Sequence, residues 1–154
     1  MRLRDQVLTA VAFAALGIAV PASQAVAQSP NPTLTRIHLT ILTHHGRRNF
    51  TVEVARTSEE QEFGLMYRTH IPAGTGMIFP EVPPHPVAFW MKNCPIPEDM
   101  IFIRPDGRIE HIAQMTHPYD ETPLASGGNV SAVLEVAGGE TRRLGIRAGD
   151  RVQW

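Results

Sequence analysis

Residues 100–112 read MIFIRPDGRIEHI, and this stretch decides the fold class of the chain. Two short apolar runs, 100–103 and 109–112, lie on either side of the pair Asp106-Gly107. An Asp-Gly pair favours the tight turn of a β-hairpin, because its glycine adopts a positive φ without strain. The stretch therefore predicts two antiparallel strands joined by a short turn.

An earlier stretch, residues 36–55, carries a related pattern. Apolar and polar residues alternate over 37–41 and again over 50–54, which gives each run one aliphatic face. The polar segment 43–49 contains Gly46 and separates the two runs. We therefore expect a second β-hairpin here.

The region between the hairpins predicts one short helix and little regular strand. Thr57 and Glu60 match a capping box at the start of SEEQEFGLMYR (58–68), so we expect a helix that ends no later than Arg68. Residues 80–97 contain six of the thirteen prolines, which remove ladder donors. Within that segment only 87–91 suits a strand.

The last third of the chain adds a polar loop (113–129), a buried strand (130–136), one helical turn within 138–146 and a final strand from 149. Taken together, the patterns predict a mainly β, compact single domain over residues 36–154. We expect a barrel or sandwich of about six to seven short strands with one or two short helices.

The first 27 residues have the pattern of a secretory signal peptide. A basic start precedes an almost wholly apolar run at 7–20, and Ala25-Val26-Ala27 forms a small-x-small cleavage site. This run is shorter than the ~18–20 residues that span a bilayer, although an uncleaved anchor stays open as an alternative. We expect cleavage after Ala27, a flexible leader at 28–35 and a periplasmic or secreted protein with no stable membrane span.

The composition of the mature chain limits its classes of partner. Cleavage leaves 127 residues with 12 basic and 14 acidic side chains, a net charge near −2. No basic stripe is present in the sequence, so nothing favours nucleic acid as a partner. Cys94 is the only cysteine, which excludes an internal disulfide.

Metal binding has one open alternative. The seven histidines lack the spacing of a zinc site, and we predict no metal and no cofactor. Methionine thioethers beside Trp90 could nevertheless hold Cu(I), although methionines more often fill irregular cores. The methionines concerned are Met66, Met77, Met91, Met100 and Met115.

Two acidic residues and the cysteine in FWMKNCPIPEDM (89–100) could carry chemistry, but no recognised catalytic motif surrounds them. Cys94 would need a base such as His85 to act as a nucleophile. Glu98 and Asp99 point to opposite sides of an extended segment, which argues against a carboxylate pair. Asp99 either caps backbone amides or contacts a ligand, and both interpretations stay open.

Six motifs then suggest a family: GLMYR (64–68), GMIF (76–79), FWMKN (89–93), IPEDMIFI (96–103), VLEV (133–136) and GD (149–150). With them the chain resembles the family of domain of unknown function 192, over about residues 52–152. The resemblance implies a small, mainly β single domain, often exported or membrane-tethered, and no reaction. Cys94 stands where the family usually shows threonine, and Glu98 where it usually shows leucine.

Polar and aromatic residues of these motifs define a candidate binding site, because packing alone does not require them. The leading hypothesis is a non-enzymatic module that binds a small ligand or peptide in a pocket with an aromatic wall and a charged floor. One alternative is a hydrolase- or isomerase-like enzyme that uses Asp99 with Lys92 or Arg68, and the other is a Cu(I)-handling protein. The candidate ligand-binding residues are Arg68, Trp90, Lys92, Asn93 and Asp99.

Overall fold

The strands of the protein are short and nearly all antiparallel. The computed structural model describes residues 34–154, so the expected signal peptide and residues 28–33 of the leader lie outside the described residues. The described helices are α1 (Ser58–Phe63) and α2 (Glu140–Leu144), and neither is long and apolar enough to cross a membrane. The strands are β1 (Arg36–Thr43), β2 (Gly46–Val54), β3 (Thr75–His85), β4 (Ala88–Phe89), β5 (Glu98–Ile103), β6 (Ile109–Ala113), β7 (Leu124–Ala125), β8 (Val130–Ala137) and β9 (Arg151–Gln153).

Seven of the strands form one sheet in the order β6-β5-β8-β3-β2-β1-β9, while β4 and β7 form a separate pair. Within the sheet β2 and β3 run parallel, and α1 lies on the connection between them. Arg108, just before β6, forms an isolated bridge with Arg151 of β9, so the two edges meet at one point. The expected mainly β single domain is confirmed. Residues 34–154 contain nine strands rather than six or seven, and no ladder among them closes the sheet into a barrel.

The sheet separates two apolar clusters, one on each face. Successive side chains of a strand point to opposite faces. On β5, Ile101 and Ile103 therefore join the first cluster, while Met100 and Phe102 join the second. The same alternation decides where the neighbouring acids lie, because it puts Asp99 on the first face and Glu98 on the second.

Both predicted hairpins form, and the capping box is confirmed by hydrogen bonds in both directions between Thr57 and Glu60. The helix is shorter than the segment 58–68, because α1 ends at Phe63. Gly64 follows it with φ 49° and ψ −128°, a combination that a helix cannot contain and that glycine readily adopts.

The proline-rich segment departs from expectation in two ways. β3 continues through the prolines to His85, because its pairing with β8 skips from Pro80 opposite Ala132 to His85 opposite Val130. The prolines between these two pairs take no part in the ladder, so their missing N–H groups cost no hydrogen bond. The expected strand 87–91 shortens to β4, whose partner β7 lies inside the predicted loop 113–129.

One glycine allows the close approach of β3 and β8 that the site requires. A Cβ atom on Gly76 would lie 2.2 Å from the carbonyl oxygen of Glu135, which is far inside van der Waals contact. The glycine of the GMIF motif therefore fixes the backbone of Glu135 against β3.

Leu34, within the expected leader, packs against the second cluster.

Candidate functional site

Asp99 belongs to the framework rather than to a pocket. Its side chain is completely buried. Oδ1 accepts hydrogen bonds from the N–H groups of Met115 at 2.8 Å and Gly139 at 2.9 Å. Oδ2 accepts from the N–H and the hydroxyl of Thr141 at 2.9 and 2.6 Å. This geometry corrects the expectation of a ligand contact: Asp99 caps backbone amides, those of α2 and of the loop after β6 rather than those of its own turn.

Arg68 is held in a different place from the tryptophan. Its guanidinium pairs with Glu53 on β2, and Arg36 approaches the same carboxylate at 3.3 Å. These three residues border a separate cavity of about 180 Å³. The five predicted site residues therefore do not converge on one hollow, because Arg68 and Asp99 are both engaged elsewhere.

Trp90 and Lys92 do share a cavity, which has a volume of about 430 Å³. We call it the aromatic cavity; it lies between residues 61–66, the end of β3 and the segment around β4, and Phe63, Phe79, Phe89 and Trp90 form its walls. The rings of Phe79 and Phe89 meet edge to face, with centroids 5.1 Å apart. Trp90 is 44% exposed and marks the mouth, whereas the buried Cys94 and Glu135 form the floor.

Successive residues of FWMKN (89–93) lie on opposite sides of the segment, as expected, although the strand here is short. Phe89 and Met91 pack into the second cluster, while Trp90 and Lys92 lie on the outer side. The Lys92 Nζ atom lies 5.2 Å from the centre of the indole ring, within the range of a cation–π contact. Asn93 has φ 57° and lines a smaller adjoining cavity.

Two buried glutamates that the sequence did not assign to the site lie at its floor: Glu135 lines the cavity, and Glu98 lies close to Glu135 without lining it. Glu135 on β8 pairs with Met100 on β5, and Glu98 lies two residues from Met100 on the same face. Diagonal neighbours of this kind are about 7–8 Å apart at Cα. Both residues are buried, at 1% exposure for Glu98 and 4% for Glu135.

Burial controls the protonation of this pair. It raises the pKa of Glu98 to about 7, against smaller lowering effects from the Cys94 thiol and the Arg68 charge. Burial and then the charge of Glu98 raise the pKa of Glu135 well above its ordinary value. Neither carboxylate oxygen of Glu98 has a hydrogen-bond partner among the described residues. Two such groups hold protons at pH values where most carboxyls have lost them.

Cys94 is placed beside this pair and is chemically quiet. Burial, followed by the negative charges of Glu98 and Glu135, raises the pKa of its thiol far above the usual range. The thiolate is the reactive form of cysteine, so this environment suppresses nucleophilic attack. The replacement of the family's threonine by Cys94 is therefore compatible with a packing role.

A third buried acid, Glu81, lines the aromatic cavity near its rim. Burial raises the pKa of Glu81, and the charge of His85 partly opposes the change. His85 Nδ1 contacts the carbonyl oxygen of Pro83 at 2.8 Å and must donate there, since a carbonyl only accepts. Its Nε2 lies 3.5 Å from a Glu81 carboxyl oxygen, which makes an ion pair when the imidazole is protonated.

The methionines of the Cu(I) alternative are distributed over different environments. Met77, Met91 and Met100 are fully buried in the second cluster, whereas Met115 is 44% exposed. The Met91 sulfur accepts a hydrogen bond from the Thr116 hydroxyl at 3.0 Å. Within residues 34–154, no three His, Cys, Asp or Glu side chains are grouped as metal ligands.

The missed acids had visible signals in the sequence. Glu135 interrupts the apolar run 130–136, where a charged residue is exceptional in a strand buried on both faces. Glu98 replaces a leucine of the family pattern. Either exception could have suggested a buried carboxyl, but their proximity depends on the pairing of β5 with β8.

Comparison with similar proteins identifies a family but no activity. The family model DUF192, described as "Uncharacterized ACR", matches residues 40–154. A crystal structure of a protein of unknown function from Novosphingobium aromaticivorans is 47% identical, with a TM-score of 0.79, and the match covers 81% of this chain and 89% of that one. A crystal structure from Sinorhizobium meliloti, described as a candidate transcription regulator, is 36% identical with a TM-score of 0.76, covering 79% and 95%. No curated protein matches. On the strength of the family match and these two relatives, the chain belongs to the DUF192 family.

Proposed function

We propose that this protein is a binding module that holds one small organic ligand in the aromatic cavity. The observation that carries the proposal is a hollow of about 430 Å³ with aromatic walls and a buried carboxyl, Glu135, at its floor. Binding sites for small molecules combine apolar walls with a few well-placed polar groups in this way, and their volumes begin near ~300 Å³.

The proposed site lies in a different place from the predicted one, but the proposed function, ligand binding, is the same. Trp90 and Lys92 remain at the mouth, Asn93 borders the adjoining cavity, and Glu135 replaces Asp99 as the acidic group. A mature chain with a net charge near −2 and no basic stripe gives no reason to extend the Sinorhizobium relative's description to this protein.

Acid–base catalysis in the same cavity is a second candidate, favoured by one observation. Burial brings the pKa of Glu98 to about 7, close to the value that suits a general acid or base at neutral pH. Glu135 would exchange the proton with a bound substrate, since it lines the cavity and Glu98 lies behind it. Turnover that Glu135→Gln abolishes while substrate still binds would support this candidate.

We also propose export, on the signal-peptide pattern of residues 1–27. Mass spectrometry of the protein recovered from its native host tests this directly. The expected product begins at Gln28 and has 127 residues. Recovery of the intact chain with residues 1–27 attached would contradict cleavage.

Tryptophan fluorescence tests the binding function. Trp154 is replaced by phenylalanine so that Trp90 is the only indole, and aromatic fragments with cationic, neutral and anionic head groups are titrated. We expect saturable quenching by at least one head-group class below about 10 mM, the affinity of a weak fragment. Ala88→Phe, which puts a ring into the cavity, should abolish it, and the exposed Val82→Phe should not. Absence of saturable quenching by the whole panel would refute the proposal.

A further inference from the structure

We infer that the ligand of the aromatic cavity is an amine, and that its ammonium group binds the carboxylate of Glu135. This inference rests on the proposed binding function and names its ligand class. The predicted ligand has a small apolar or aromatic body, which fits between the rings of Phe79, Phe89 and Trp90. Its charged head reaches the floor of the cavity.

The first argument is that Glu135 lacks a partner. Its side chain is 96% buried, yet it lines the cavity. Burial and the charge of Glu98 are the influences on its pKa, and no hydrogen bond from the described residues contributes. A buried carboxyl without a donor is unfavourable. Ladder pairing with Met77 on β3 and Met100 on β5 fixes Glu135 on the face of the sheet that borders the cavity.

The second argument is the charge around the floor. In the described part of the chain each nearby cation is already engaged, since Lys92 lies on the indole at the mouth, His85 contacts Glu81 and Arg68 pairs with Glu53. The groups that face Glu135 or share its cavity include three acids, two cations that are already engaged and one thiol. They are Glu62, Glu81, His85, Lys92 and Cys94 from the cavity lining and Glu98 from β5.

The third argument is the aromatic wall. An ammonium group is attracted to the face of an aromatic ring, most strongly to that of tryptophan. The contact between Lys92 and Trp90 already shows an ammonium on such a face in this molecule. An anionic head group would gain nothing from these rings, and it would be repelled wherever Glu98 or Glu135 is ionised.

Binding of an amine has a proton balance that can be measured. Burial favours the protonated form of Glu135 in the free protein, because it raises the pKa of this carboxyl well above the ordinary value. The ammonium binds the ionised carboxyl, so the carboxyl O–H bond breaks, its proton goes to solvent and the ammonium keeps all of its N–H bonds. Affinity therefore rises with pH, by up to about ten-fold per pH unit while free Glu135 is protonated. The ligand stays charged throughout, since alkyl ammonium groups titrate near ~10.

The experiment compares three molecules that share a phenyl ring: 2-phenylethylamine, 2-phenylethanol and 3-phenylpropionate. We expect the amine to bind at least about ten-fold tighter than the alcohol at pH 8, and the acid to bind weakest. Calorimetry in two buffers of different ionisation enthalpy should show release of protons when the amine binds. In Glu135→Gln, which mimics the protonated carboxyl, the preference for the amine should fall and the pH dependence should become weaker, with only the ionisation of Glu98 left to contribute, while the alcohol binds as before.

The possible outcomes distinguish a failure of the amine inference from a failure of the proposed binding function. If the alcohol or the acid binds as tightly as the amine, the amine inference fails and the binding function stands. If no molecule of the three and no other fragment binds, both fail. A Glu135→Gln variant that does not fold leaves the pH dependence of the parent as the test, and an affinity for the amine that is constant from pH 6 to 8 would overturn the inference.

Discussion

Oδ2 of Asp99 accepts two hydrogen bonds from Thr141, one from its N–H at 2.9 Å and one from its hydroxyl at 2.6 Å. Oδ1 accepts two more from backbone N–H groups, those of Met115 and Gly139. One buried carboxylate thus fastens the start of α2 and the loop after β6 to β5. We expect Asp99→Ala to lower the free energy of unfolding by about 3 kcal/mol, because it leaves one buried and two partly buried N–H groups without an acceptor.

Thr141→Val is the matched control for this network. It removes one hydroxyl and keeps all three backbone bonds, so the expected loss is about 1 kcal/mol. Urea unfolding measures both variants. Equal unfolding midpoints for Asp99→Ala and the parent protein would show that Asp99 does not hold these segments.

The buried glutamates predict an unusual pH dependence of stability. A carboxyl whose pKa is higher in the folded state binds more protons when folded, so the free energy of unfolding falls as pH rises from its unfolded to its folded pKa. For Glu98 this window runs from 4.5 to about 7. Unfolding in urea at pH 5 and pH 8 should therefore show a loss of stability on going to the higher pH.

Glu98→Gln should reduce that loss, and the variant should be more stable than the parent protein at pH 8. Glu59→Gln, on the exposed surface of α1, is the control and should leave the slope unchanged. A parent and a Glu98→Gln variant with identical pH profiles would contradict a protonated Glu98.

Cys94 should resist thiol reagents in the folded protein. Its thiol is buried, and burial together with the charges of Glu98 and Glu135 raises its pKa. We expect Ellman's reagent at pH 8 to label native protein at least about a hundred-fold more slowly than protein in denaturant. A ligand in the aromatic cavity should slow the native reaction further, because Cys94 lines that cavity. Complete labelling of native protein within seconds would contradict this environment.

Gly76 should tolerate no side chain. A Cβ atom there would lie 2.2 Å from the carbonyl oxygen of Glu135, so β3 and β8 would have to separate. We expect Gly76→Ala to lower the free energy of unfolding by at least about 2 kcal/mol. Gly128→Ala is the control, since nothing lies within 4 Å of its added carbon. Equal stability of the two variants would contradict the close contact.

Sequence patterns predicted the features that depend on neighbours along the chain. The hairpin around Asp106-Gly107 and the capping box of Thr57 with Glu60 need only local turn and cap chemistry, and both are present. The strand predicted at 87–91 is longer than the observed β4. The length of β4 is limited by its pairing with β7, and the two residues of β7 carry no strand pattern of their own. The continuation of β3 through Pro83 was missed because the ladder gap that accommodates it lies in the register with β8.

The site was harder to predict for the same reason. That Trp90 and Lys92 share the outer side of FWMKN follows from strand alternation. Asp99 points away from them and toward Thr141. This orientation depends on hydrogen-bond donors about forty residues later in the chain. The proximity of Glu98 and Glu135 depends on the register of β5 with β8, so the sequence could show that each acid is exceptional but not that the two are close.

The central claim is that a small amine occupies the cavity between Trp90 and Glu135. The most direct test is a titration of the ¹⁵N-labelled protein with 2-phenylethylamine, which follows the indole N–H signals of Trp90 and Trp154 by NMR. The claim predicts a saturable shift of the Trp90 signal, a fixed Trp154 signal and no Trp90 shift in Ala88→Phe. A Trp90 signal that does not move, or one that moves equally in Ala88→Phe, would contradict it.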